Sequence, residues 1–250
     1  MITTRIQSTF LILFLLSSLT LQAQITRIDT ITNSKKSTFS KITSPRLYTY
    51  TIGLKVFSLE EFPKILNQIN SNEFVSAPLR GAFIKINDNQ ISYRLSADFY
   101  SDNITFNNEC EDCEVATGKV KDFSGKIGFE KNFIYGMLQP YLAFDIGYRR
   151  NSFDGKVESG TIPNYTNPYN VTSLKNGFLM SPNFGLKFNP INHFTIGIET
   201  GLSLLYSYEK QERVYQDANS TRTFNDYKKW EFLLKPLSAV SIQYNFGIMY

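Results

Sequence analysis

The chain has 250 residues, 42% hydrophobic and 15% aromatic, with 26 Lys and Arg against 22 Asp and Glu. The formal charge of +4 is small and scattered, which argues against a nucleic-acid surface. The length suits a single all-β domain, and charged or strongly polar residues break every later apolar stretch, which excludes a membrane-crossing helix of about 20 apolar residues.

The N-terminus has one early charge, Arg5, before an apolar run from Phe10 to Leu16 that continues to Leu21. Ala23 then offers a small residue for cleavage before Gln24. A basic start, a short apolar core and a small residue at the cut predict a secretory signal peptide over 1–23, the alternative being an N-terminal anchor helix. Residues 24–46 are rich in Thr, Ser and Lys without apolar periodicity and are expected to form a flexible periplasmic tail.

From Leu47 onward, period-two alternation recurs, and each such stretch predicts a strand with one apolar and one polar face. Leu47 to Val56 puts Tyr48, Tyr50, Ile52 and Leu54 on one face. Ser58, Glu61, Ile65, Leu66 and Ile69 then hint at a short amphipathic helix, with Pro63 awkwardly early in it. Gly81 to Ile86 is a weaker strand. Ile91 to Tyr100 sets Ile91, Tyr93, Leu95 and Phe99 against Arg94 and Asp98, and Asp122 to Glu130 sets Phe123, Ile127 and Phe129 against Lys126 and Glu130.

The second half is cleaner. Leu142, Phe144, Ile146 and Tyr148 oppose Asp145 and Arg149; Phe184, Leu186 and Phe188 oppose Asn183, Gly185 and Lys187. The longest run, Phe194 to Glu209, carries Phe194, Ile196, Ile198 and Leu202 opposite Glu199 and Glu209. The final stretch, Lys229 to Tyr250, contains Pro236, whose missing donor a bulge there, or the boundary between embedded and projecting parts of the strand, would absorb. It ends on the stripe Ile242, Tyr244, Phe246, Ile248 and Tyr250.

Connection lengths alternate. Short ones fall at Asn87–Gln90, Lys131–Met137 and Asn189–His193; long ones at Ser58–Pro78, Asp102–Lys119, Ser152–Asn176 and Lys210–Tyr227. Short turns on one rim and long loops on the other are the build of an outer-membrane barrel. The expected fold is therefore an antiparallel up-and-down transmembrane β-barrel over 47–250 with about eight strands. Ten strands, or a soluble lipocalin-like barrel, are the alternatives.

On the terminal stripe and the hairpin from Phe184 to Tyr208, the chain resembles the small outer-membrane β-barrel family of Gram-negative bacteria, the OmpA/OmpX-type or porin-family barrels. The resemblance covers about Leu47 to Tyr250 and is architectural, without a chemical motif. It implies a place in the cell outer membrane, contact with outer-membrane lipid, and recognition of the terminal strand by the barrel-assembly machinery.

The inward faces carry both signs of charge: Lys55, Lys85, Arg94, Asp98, Lys126, Glu130, Asp145, Arg149, Lys187, Glu199, Glu209, Glu231 and Lys235. With about eight strands the interior is only wide enough for its own side chains, so these are expected to pair and fill it. A thin conduit through rearranging pairs is the alternative.

Cys110 and Cys113 are the only cysteines, and in an exported protein a disulfide between them is the default. Two thiolates fall short of a structural zinc site, and the acidic run Glu109, Glu111, Asp112 and Glu114 around them is a candidate contact for an extracellular partner or cation. The sole histidine, His193, sits in a short turn, away from the rim where outer-membrane hydrolases place theirs. No nucleophile elbow, phosphate loop or metal motif appears, so neither catalysis nor a cofactor is expected. The expected role is structural or loop-mediated binding, and the alternative is a narrow pore for small solutes.

Overall fold

The computed structural model describes residues 48–68, 74–110, 113–162, 166–216 and 221–248. The expected signal peptide (1–23), the tail (24–46), Glu111, Asp112 and Tyr250 lie outside the described residues.

Eight strands follow one another: β1 Tyr48–Glu61, β2 Phe74–Asp88, β3 Ile91–Asn108, β4 Glu114–Asn132, β5 Leu138–Ser159, β6 Tyr169–Ile191, β7 Phe194–Tyr215 and β8 Arg222–Ile248. Each pairs antiparallel with its sequence neighbour, and β8 pairs with β1, so the sheet closes into an up-and-down barrel. Over the length where all eight strands pair, closure removes the exposed strand edges that an open sheet would leave. The weak stretch near Gly81 forms a full strand, and the described residues hold eight strands.

The short-turn rim agrees with the reading of connection lengths: residues 89–90, 133–137 and 192–193 join β2–β3, β4–β5 and β6–β7. Asn89 and His193 take positive φ (49° and 70°) to turn the chain that tightly. At the other rim the expected long loops are mostly strand. β3 and β4 stay paired to Asn108 and Glu114, β5 and β6 to Val157 and Tyr169, and β7 and β8 to Val214 and Arg222.

The loops were overestimated because the outward stripe turns polar there while the alternation itself persists. On β5 the outward residues run Leu142, Phe144, Ile146 and Tyr148, then Arg150, Ser152, Asp154 and Lys156. The inward set runs Asp145, Arg149 and Asn151, then Phe153 and Val157. Polarity inverts across the wall while the pleat continues unbroken.

Two aromatic rows bound the outward apolar belt. Toward the long-loop rim, Tyr148, Phe178, Tyr206 and Trp230 stand in direct cross-strand register, and Phe99 pairs with Phe123. Toward the short-turn rim, Tyr50 packs on Phe246 at 5.5 Å, Phe194 on Tyr244 at 5.4 Å and Phe129 on Phe144 at 6.2 Å. Such pairs add about 0.5–1.5 kcal/mol each beyond area burial.

Three irregularities set the phase of the walls. Pro236 lies in a bulge where the pairing jumps from Glu199↔Ala239 to Gly201↔Lys235, so its missing N–H disrupts no ladder bond. β1 shifts register between Lys55 and Phe57, and Leu79 on β2 takes a positive φ of 46°. No helix forms between Ser58 and Gln68: Ser58 to Glu61 complete β1, and Phe62 to Gln68 turn into the barrel. Phe62, Ile65 and Leu66 join a buried cluster with Phe106, Ala116, Val120, Phe153, Val157, Tyr169 and Val171. That apolar cap plugs the barrel's long-loop end.

Candidate functional site

Below the cap the interior is ionic. On β3, Arg94 reaches across to two other strands: its Nε donates to Asp145 at 2.6 Å and its Nη1 to Glu199 at 2.6 Å. Glu130 on β4 receives Lys85 at 2.7 Å and also Lys187, with Arg94 at 3.8 Å. Asp98 is held between Lys55 at 2.6 Å and Lys126 at 2.5 Å. Arg149 donates to Asp122 at 2.8 Å and lies 3.6 Å from Glu60.

The first ten of the thirteen charges expected to face inward, Lys55 through Glu199, are buried in these pairs. Lys235 is buried 4.0 Å from Glu60. Glu209 and Glu231 lie higher, both on Lys175, at 3.4 and 3.0 Å. Burial works against ionising Glu209, yet Lys175, Gln211 and Lys229 together hold its carboxyl below the ordinary value.

Four partners escaped the sequence reading. Glu60 and Arg80 pair with each other inside the barrel, but Glu60 lies in the stretch Ser58–Pro78 read as a connection, and alternation carried back from Gly81–Ile86 points Arg80 outward. Lys175 lies in a stretch read as loop. Asp122 does fall on the inward side of its strand, two residues before Ser124, and that parity could have found it.

Aromatic rings fill what the charges leave. Tyr141 lies over Gly185 on the neighbouring strand, where an added Cβ would sit 2.1 Å from the ring, and its hydroxyl donates to Glu199 at 3.0 Å. Phe83 covers Gly53 in the same way, at 2.2 Å. The space beside Arg94, lined by Lys55, Lys85, Tyr141, Glu199 and Gln243, is about 20 Å³. That is room for about one water.

At the β3–β4 tip, Cys110 and Cys113 form a disulfide with Cα atoms 5.1 Å apart, and Cys113 O accepts a hydrogen bond from Gly160 N at 2.8 Å. The acidic run does not act as one exposed tip. Glu114 turns inward, accepting from Asn108 at 2.6 Å and from the Tyr169 hydroxyl at 2.9 Å. It does so because it begins β4 in the inward phase. Burial pushes the Tyr169 phenol above its ordinary value, so it stays a donor. Glu109 remains exposed, 4.0 Å from Arg213.

His193 closes the short-turn rim. Its ring lies 4.7 Å from that of Tyr48 and 5.9 Å from that of Tyr244, and Nδ1 is 2.8 Å from the Asn245 carbonyl. It ties the β6–β7 turn to both strands of the closing seam, which is a structural role. Of the terminal stripe, Ile242, Tyr244 and Phe246 project outward, and Ile248 pairs through its backbone with Tyr48.

Among the described residues, no group of three or more His, Cys, Asp and Glu is placed to hold a metal ion. Compared with known protein families, curated proteins and solved structures, the chain matches none.

Proposed function

We propose that the protein is a non-enzymatic outer-membrane β-barrel of the OmpA/OmpX-like kind, whose interior is a filled ionic core and whose projecting strands present a surface for binding a partner or stiffening the envelope. The observation that carries this reading is the reversed polarity of the wall. A soluble barrel buries its apolar face, whereas here Ile52, Leu95, Ile127, Phe184 and Ile198 stand outward around a core of ion pairs. Contiguous exposed apolar surface beyond a few hundred Å² needs a covering, and one that encircles a barrel matches a lipid annulus.

The dimensions agree. Along β7 the outward apolar run from Phe194 to Tyr206, at about 3.3 Å a residue and a tilt near 40°, rises roughly 30 Å, comparable with the ~25 Å apolar band of transmembrane barrels. Above it, Lys119, Lys121, Arg150, Lys156, Lys210 and Lys228 face outward, as suits an aqueous projection enclosing its own apolar core.

Fractionation tests the reading. The protein is expected in the outer membrane, extracted only by detergent, with gel mobility that changes on boiling. Recovery from the soluble periplasm without detergent overturns it. In the narrow-pore reading the same interior conducts; the single-water space beside Arg94 and the cap of Phe62, Ile65 and Leu66 weigh against that.

A further inference from the structure

The seam between β1 and β8 comes apart above Leu59↔Leu237. β1 ends at Glu61 while β8 runs on to Arg222, so among the described residues this part of β8 has β7 on one side and no strand on the other. The Leu234 N–H that faces the missing seam is capped by the Glu61 carboxylate at 2.9 Å. A cleft of about 590 Å³ opens at the break, lined by Phe62, Lys64, Lys229, Trp230, Phe232 and Leu233, with Glu61 and Glu231. That lies within the 300–1,000 Å³ typical of small-molecule sites.

Two lysines and two glutamates line it. Glu61 is spent on Leu234, and Glu231 accepts Lys64 N at 3.0 Å and Lys175 Nζ at 3.0 Å. Lys64 is exposed, and Lys229, 3.5 Å from Glu209, keeps 30% of its side chain exposed. Among the described interactions, Lys64 is therefore the one charged side chain of the lining with neither a hydrogen bond nor an ion pair. Its outer lip is apolar: Trp230 is 63% exposed and Phe232 76%. Trp230, Phe232 and Leu234 pair with Tyr206, Leu204 and Leu202, the top of the outward belt, so whatever covers the belt also reaches the mouth of the cleft.

We propose that this cleft binds an anionic phospholipid, its phosphate held by Lys64 and Lys229 and one acyl chain laid along Trp230, Phe232 and Leu234. The inference rests on the membrane reading above. Lysine stems can lie along apolar surface while their ammonium groups reach a headgroup, so the two chemistries fit one amphiphile. The free edge of β8 could instead take a strand from another protein, but continuity of the lip with the apolar belt favours lipid.

Trp230 is the only tryptophan in the chain, so its fluorescence reports on the lip of the cleft and the lipid against it. The protein is reconstituted into phosphatidylcholine vesicles carrying brominated phosphatidylglycerol or, at the same mole fraction, brominated phosphatidylcholine. Stronger quenching by the anionic lipid is expected, at about fivefold enrichment per lysine. Lys64→Gln with Lys229→Gln should abolish the preference, while Lys228→Gln, outside the cleft, should keep it and both variants should retain heat-modifiable mobility. Equal quenching by the two lipids in floating vesicles overturns the cleft and leaves the membrane reading standing. Flotation without quenching also overturns it, leaving the β8 edge to an aqueous partner such as a strand. Failure to float at all removes the membrane reading itself.

Discussion

Arg94 shows how much of this barrel depends on single side chains. From β3 its guanidinium bridges Asp145 on β5 and Glu199 on β7, and Glu199 also takes the Tyr141 hydroxyl. Removing one member of a buried ionic cluster costs about 3–5 kcal/mol because the remaining charges are left unpaired. Arg94→Ala should therefore lower the denaturant midpoint, read by loss of the folded gel form, and adding Asp145→Asn with Glu199→Gln should restore part of the loss. An unchanged midpoint in the single variant would show that water already satisfies these carboxylates. Glu209 gives a pH dependence of definite sign. Its folded value lies below the ordinary 4.5, so its contribution is complete above that value and is lost as pH falls through the lowered one. Between pH 6 and pH 3 the wild type should lose more stability than Glu209→Gln, measured by urea unfolding. Parallel curves would refute the assignment.

Among the elements, β8 carries the most. It is the longest strand, closes the ring against β1, absorbs Pro236 in a bulge and, past the seam, forms one wall of the open cleft. Phe246 stacks on Tyr50 across that closing seam. Replacing Phe246 and Tyr250 by Ser should hinder membrane insertion, because the belt loses the aromatic end of its terminal stripe. Normal outer-membrane levels and heat-modifiable mobility in that variant would contradict the role. The elements were legible in the sequence to very different degrees. β7 and the lower part of β8 could be read almost residue by residue, since each keeps one apolar face. The upper halves of β3 to β6 could not, because there the apolar face changes sides. A search for a continuous apolar stripe stops where lipid contact would stop, and the strand does not.

For the whole molecule, a filled interior predicts no steady conductance. Purified protein in planar bilayers should give no stable single-channel steps, since Arg94, Glu130 and Tyr141 occupy the bore and the Phe62–Gln68 segment caps it. Regular steps whose size changes in Arg94→Ala or Glu199→Ala would establish the pore instead. The sequence by itself determined the all-β class, the antiparallel order, a strand number near eight, the outward stripe and the inward position of the charges from Lys55 to Glu199. It could do so because a pleated strand sends alternate residues to opposite faces, a rule that needs only local information. Only the tertiary structure decided which charges meet, that Glu60 and Arg80 join them, and that the β1–β8 seam opens into a cleft. Those outcomes depend on bulges that shift phase by one residue and on the stagger accumulated around a closed ring. Neither is encoded in the alternation of any single strand.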